Sequence, residues 1–253
     1  MARVTLLGSA ATLANDRHDS VYLLVEHAGG VLLIDCGGSP PHKLGRAGID
    51  LRQVTDILLT HDHTDHLYGL PLLVQGLMLC HWSGEWSGVL RVWGLWETLA
   101  TARSLLKTLG LWDRIEVDWR VIPAEEGQTV IESADLRVLT APVEHMRPTL
   151  GVRLEGRESG RVIAYSGDSE PCAAVVGLAR GADILLHEAT NQRVAPGHST
   201  PAEAGQVAAK ADVTRLVLVH FDARLDPALL CAQAAKAFGG PVEVGQDWTV
   251  FDL

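Results

Sequence analysis

The sequence predicts an α+β sandwich in which two sheet-plus-helix halves pack as one unit. Three observations lead there. Short apolar runs rich in Val, Ile and Leu recur along all 253 residues and read as strands. Strands followed by helix make up the first half, and the second half repeats that order. No linker, low-complexity tract or charge run separates the two, so a single domain over 1–253 is expected.

Taken in order, strands are expected at 4–7, 21–26 and 31–35, with Gly29-Gly30 turning the hairpin between the last two. Strands at 57–60 and 89–93 follow. The chain after His66 reads as helix through Gln75, and 97–109 has apolar residues at helical spacing and stops at Gly110. The second half runs through strands at 136–141, 149–154, 162–166, 183–187, 216–220, 242–244 and 249–251. Its helix at 201–211 opens on Thr200 as N-cap, with Pro201 first in the helix and Glu203 closing a capping box. Asp226-Pro227 opens another, which Gly239-Gly240 ends.

Hydrophobic residues form 47% of the chain and charged ones 21%, which supports a sizeable core and argues against disorder. A net charge of −10 lowers the expectation of a polyanionic partner. Gly8 ends the apolar run at the amino terminus too early for a secretory signal. The longest stretch free of Lys, Arg, Asp and Glu, 66–84, carries Pro71, Gln75, two His and three Gly, so a membrane span is not expected. Cys36, Cys80, Cys172 and Cys231 are scattered without a CxxC, as reduced thiols of a cytoplasmic protein would be. Cys36, after Asp35 at a strand end, is the one alternative metal ligand among them. Six of the seven Trp lie between Trp82 and Trp119. They read as packing residues or, in the Gly-flanked stretch 81–88, as aromatics lining a substrate pocket.

The chemistry concentrates at His61-Asp62-His63-Thr64-Asp65-His66, directly after a strand. Imidazole nitrogen and carboxylate oxygen are the donors of zinc and similar divalent ions. In an extended segment alternate residues share a face, so His61 and His63 can meet on one ion. The chain then turns, and Asp65 with His66 can face a second. His145, Asp168 and His220 all lie at the C-terminal ends of predicted strands, where they can reach the same sheet edge. Gly8-Ser9-Ala10-Ala11 reads as a tight loop that either borders this edge or is a plain turn. His187 is expected to be buried and hydrogen-bonded nearby. No GxSxG elbow, P-loop or dinucleotide fingerprint competes with this reading.

The run HDHTDH with His145, Asp168 and His220 resembles the metallo-β-lactamase superfamily. Leu186-His187-Glu188-Ala189-Thr190 and Gly197-His198-Ser199-Thr200-Pro201-Ala202-Glu203-Ala204 resemble its ribonuclease Z branch. The first motif specifies only the superfamily; the second pair is far more specific. The resemblance runs from about Val4 to Phe251 and implies a four-layer αββα sandwich with the site at one sheet edge. It implies two divalent ions per chain, zinc first, with manganese or iron as alternatives. One ion would take His61, His63 and His145, the other Asp65, His66 and His220, with Asp168 bridging. Such a pair lowers the pKa of water held between the ions toward about 7, and the hydroxide attacks phosphorus in line. The resemblance gives Asp65 the role of proton acceptor, His198 that of serving the leaving oxygen, and Glu188 that of orienting His198. A homodimer is implied in the same way.

Ribonuclease Z enzymes that process tRNA carry a long basic arm between the third His and the bridging Asp. Here Asp168 follows His145 by only 168 − 145 = 23 positions, and a strand pair with its turn at 155–160 fills the interval. This armless form and the acidic charge put a small-molecule phosphodiester first as substrate. A tRNA 3′-end processing endonuclease is the alternative, followed by an aryl sulfate or other ester hydrolase. A β-lactamase would carry Cys at the position of Asp168, and an inactive scaffold would lack ligands, yet all seven are in place.

Overall fold

Two seven-stranded mixed sheets lie face to face with helices on both outer sides in the computed structural model, which describes residues 1–253. The first sheet takes β1 (Arg3–Gly8), β2 (Tyr22–His27), β3 (Gly30–Ile34), β4 (Val54–Leu58), β5 (Leu90–Gly94) and β6 (Val117–Val121) in sequence order. The second takes β7 (Gln128–Glu132), β8 (Leu136–Val143), β9 (Thr149–Gly156), β10 (Val162–Tyr165), β11 (Ile184–Glu188), β12 (Arg215–Val219) and β13 (Val242–Val244), again in sequence order. The last strand, β14 (Val250–Asp252), returns to pair antiparallel with β1. Helices α1 (Pro40–Arg46), α2 (Thr64–Leu67), α3 (Leu70–Trp82) and α4 (Trp96–Thr108) belong to the first half, and α5 (Ala173–Ala179), α6 (Pro201–Ala211) and α7 (Pro227–Phe238) to the second.

Strand alternation divides the apolar residues among three spaces. Leu58 faces the opposite sheet, with Leu23, Ile34, Val152 and Val219. Its neighbour Ile57 faces outward, against Leu73, Leu77 and Leu99 of the first helix layer. On the other side Leu185, Leu216 and Leu218 meet Ala204, Ala208 and Ala234. Each fully buried Leu or Ile in these spaces contributes roughly 1.5–3 kcal/mol. Three apolar spaces between four layers are the αββα sandwich that the resemblance implies.

Several elements differ from the sequence reading, each for a physical reason. The strands β6 and β7 were not anticipated. Both are edge strands whose charged, half-exposed sequences VDWRV and QTVIE hold too few apolar residues to stand out. The helices α1 and α5 have seven residues each, too short to display a helical period. The helix expected after His66 through Gln75 is parts of two helices, α2 and α3, broken at Tyr68-Gly69. There the Gly69 N–H donates to the Cys36 carbonyl at 2.7 Å, and a Cβ on Gly69 would meet that oxygen at 2.6 Å. The close approach needs glycine and interrupts the helix. Beyond it α3 runs on to Trp82, because Leu70, Leu73, Val74, Leu77 and Met78 keep one side buried. The strand expected over 57–60 begins earlier and leaves the ladder after Leu58, since the Thr60 N–H turns to the Asp35 carboxylate. No helix is long and apolar enough to cross a membrane.

Candidate metal centre

Past β4 the chain stays extended to His63 (φ −66°, ψ 150°), which caps α2. The extended stretch sends His61 and His63 to one side, and the first turn of α2 swings Asp65 and His66 inward. His61 and His66 are fully buried, and Asp65, Asp168 and His220 nearly so. Gly167 (φ +60°) makes the turn before Asp168, and a Cβ there would meet the Leu150 carbonyl at 2.6 Å. His220 itself takes a left-handed φ of 47° at the end of β12.

All seven candidate ligands converge. His61, His63, His145 and Asp168 form one group, and Asp65, His66 and His220 a second; within each group the donor atoms lie within 4.8 Å of one another. Asp168 stands between the groups: its Oδ2 is 3.6 Å from His61 Nε2 and 3.3 Å from His220 Nε2, and its Oδ1 is 3.4 Å from His66 Nε2. His145 Nε2 faces His63 Nδ1 at 3.2 Å. The Nε2 atoms of His61 and His66 and Oδ1 of Asp168 are buried without a hydrogen-bond partner. Leaving such atoms unsatisfied costs roughly 1–3 kcal/mol each. Opposed nitrogen and carboxylate donors of this kind fit divalent cations.

Neighbouring groups aim the rings. Asp35, fully buried and at φ +65°, accepts His66 Nδ1–H at 2.8 Å, and its other oxygen accepts from the Thr60 amide and hydroxyl, both at 2.8 Å. Because the Thr60 hydroxyl donates to Asp35, it accepts from His61 Nδ1 at 3.1 Å. The Thr190 hydroxyl accepts from His220 Nδ1 at 2.8 Å and donates to the His220 carbonyl at 2.7 Å. His145 Nδ1 donates to the Gly197 carbonyl. In all four residues the proton is thus held on Nδ1, leaving Nε2 toward the cluster. The sequence reading missed Asp35 and Thr190 in this role. The available signal was a carboxylate closing an apolar strand, and a hydroxyl two residues past Glu188.

The electrostatics follow from burial and from the two aspartates. Burial holds His61, His63 and His145 below the usual histidine range. Burial also opposes charge on His66, but Asp168 and Asp35 on either side outweigh it and raise His66 well above that range. Burial would raise Asp168 and Asp65; surrounding histidines hold both well below the usual carboxylate range. Three of the histidines thus favour the neutral form in which imidazole binds a cation, beside two aspartates that stay charged.

Beside it lies a second constellation. Glu188 is fully buried and accepts from His198 Nδ1 at 2.9 Å, Ser169 N at 3.0 Å and Thr190 N at 2.9 Å. Burial works against the charged form of His198, and Glu188 more than restores it, so its pKa is raised. The ring of His198 stacks on His220 at 5.6 Å and meets His145 edge-on at 4.8 Å. His198, His63, Asp65, Asp168 and His220 line a cavity of about 280 Å³ that Ala11, Thr12 and Leu13 close on one side. No Lys or Arg lines it. The loop after β1 therefore borders the site.

Other expectations end differently. Cys36 is buried in the helix-side core, burial pushes its thiol up, and it is absent from the converging donors. None of the tryptophans lines the cavity. Trp82 is exposed at the far end of α3, whose 13 residues make it roughly 18–20 Å long. Trp86 packs against the helix-side core instead. His187 is buried, with Nδ1 donating to the Glu188 carbonyl at 2.8 Å.

A family model described as a beta-lactamase superfamily domain matches residues 31–221. Ribonuclease Z of Methanothermobacter thermautotrophicus is 27% identical over 98% of this chain and 95% of its own length. Ribonuclease Z of Mycobacterium sp. (strain KMS) is 30% identical over 98% and 94%. Among solved structures, the metallo-beta-lactamase fold protein YhfI of Bacillus subtilis superposes with a TM-score of 0.84 at 18% identity, covering 99% of this chain and 98% of its own. With the converging donors and the motifs around Glu188 and His198, these matches lead to one conclusion: the chain belongs to the metallo-β-lactamase superfamily, as a metal-dependent hydrolase of its ribonuclease Z-like branch.

Proposed function

We propose that the protein hydrolyses phosphodiester bonds with two divalent ions, zinc foremost. His61, His63 and His145 would hold one ion, Asp65, His66 and His220 the other, and Asp168 both. The observation that carries the reading is that His198, on the wall of the cavity the donors line, is held at 2.9 Å by the buried Glu188. When bound, the ions supply an acidified water and neutralise charge on the phosphoryl oxygens. The chain's own residues supply the rest. Asp65 accepts a proton from the attacking water. Glu188 takes His198 Nδ1–H, fixes the ring and favours its charged form, and His198 delivers a proton to the leaving oxygen.

The relatives support the 3′ end of precursor tRNA as substrate better than a small phosphodiester, since proteins matched along nearly the whole chain bear the name ribonuclease Z. This reverses the order read from the sequence. The small-phosphodiester reading keeps one specific observation. Between His145 and Asp168 lie only the end of β8's loop, β9, a tight turn and β10. The alignment with the Methanothermobacter protein has 299 positions, and 98% of this chain is about 248 residues, so about 51 positions of the relative have no counterpart here.

Metal-loaded protein and an Asp168→Ala control, incubated with a 3′-extended precursor tRNA, separate the two. Asp168-dependent cleavage after the discriminator base establishes the ribonuclease Z reaction. Intact tRNA beside Asp168-dependent hydrolysis of bis(p-nitrophenyl) phosphate selects the small substrate. If neither is cleaved, the phosphodiester reading fails, and aryl sulfate esters are assayed next.

A further inference from the structure

We propose that Thr12 is a positioning residue for Asp65: its hydroxyl decides which carboxylate oxygen enters the metal cluster and which is left to take a proton. The inference rests on the role given to Asp65 above. Thr12 Oγ1 donates to Asp65 Oδ2 at 2.6 Å, and His220 Nε2 approaches the same oxygen at 3.3 Å. Oδ1 shares in neither contact, and Asp65 lines the cavity. The two oxygens are therefore unequal. A carboxylate turns readily about its last bond, with two nearly equivalent settings, unless a donor is fixed on one oxygen.

Thr12 can be that donor because its backbone is tied to the strand end that carries His220. The Ala11 N–H donates to the Phe221 carbonyl at 2.9 Å, and the His220 N–H to the Ser9 carbonyl at 2.7 Å. Asn15 Nδ2 reaches the Ala223 carbonyl at 3.0 Å. The root of the loop is buried: Ser9 Oγ lies 2.8 Å from His18 Nδ1 and donates to Asp247 at 2.7 Å, and Lys43 holds Asp247 at 2.9 Å. Asp65 stands on α2, in the first half of the molecule, whereas β12, whose end holds the Thr12 loop, belongs to the second. The Thr12 loop thus joins Asp65 to the strand end that carries His220, while Thr12 itself is exposed and fills no core space.

Thr12→Val keeps the shape and removes the donor; Thr12→Ser keeps the donor. Both are compared with the parent, zinc-loaded, in hydrolysis of bis(p-nitrophenyl) phosphate and in release of zinc to a chelator. Thr12→Val is expected to lose about 10- to 100-fold in kcat, with KM within about threefold, and to release one zinc about tenfold faster. Thr12→Ser is expected to stay within about threefold of the parent in both readouts. Parent-like kcat and zinc release in Thr12→Val overturn the proposal, as does a Thr12→Ser protein impaired as far as Thr12→Val. If the parent itself leaves the ester intact, the phosphodiester reading falls, and the zinc-release comparison alone decides the role of Thr12.

Discussion

Glu188 has no exposed surface, and a buried carboxylate is tolerable only when donors meet it. Three do, and one of them is the proposed acid, His198. Glu188→Gln preserves shape and removes charge. As the proposed acid, His198 would work in its protonated form, so activity is expected below its folded pKa and lost as pH rises through it. Glu188 raises that pKa. Without the charge the pKa falls, and the alkaline limb of kcat moves to lower pH. Profiles of kcat against pH for both proteins read this, with kcat above neutrality expected to drop about 10- to 100-fold. An alkaline limb in the same place would remove His198 as the acid. At this scale legibility depended on contiguity. Four donors within six positions announce themselves, whereas Asp35 reaches His66 only through the fold, across 31 positions. Alone, it looked like any polar residue closing a strand.

Helices α6 and α7 pack through small residues, and Gly205 marks the closest point. A Cβ there would meet the Ala234 carbonyl at 2.3 Å. Backbone cannot rotate out of the way, so Gly205→Ala must push the helices apart. Alanine gains about 1 kcal/mol of helix propensity, but overpacking costs about 1–3 kcal/mol and wins. Thermal unfolding is expected to move down by roughly 2–6 °C; an unchanged or raised Tm would show that the contact gives way freely. These two helices were legible because their ends are chemically marked. Thr200 and Glu203 form the capping box, Asp226 accepts from the Ala228 N–H, and Gly239 ends α7 at φ +77°. The break between α2 and α3 was not, because its cause is a tertiary contact with the Cys36 carbonyl. The edge strands β6 and β7 escaped because pairing, rather than apolar content, holds them in their sheets.

Across the molecule, the candidate ligands divide between the halves: His61, His63, Asp65 and His66 follow β4, while His145, Asp168 and His220 follow β8, β10 and β12. Ions held there bind the folded state and not the unfolded one. At a free ion concentration of about 100 Kd each ion contributes about 2.7 kcal/mol. Removing metal with a chelator is therefore expected to lower Tm by roughly 5–10 °C per ion lost for a chain of this size, with recovery on adding zinc. Asp168→Ala should lose that response; a Tm indifferent to chelator would show that the cluster does not fasten the halves. The acidic total charge gives the same ions a further task, since no Lys or Arg lines the cavity to offset the charge of an approaching phosphodiester.

The same division has a meaning in time. His61 and His220 are 220 − 61, or 159, positions apart, and a chain leaves the ribosome from its amino terminus at about 5–20 residues per second. The first donors are thus exposed many seconds before the last exists. Until β12 has been made and has joined its sheet, the early donors lack His145, Asp168 and His220, and the cluster is incomplete. On the proposed reading a truncated or half-folded copy would stay inert, and hydrolytic competence would arrive only with the finished molecule.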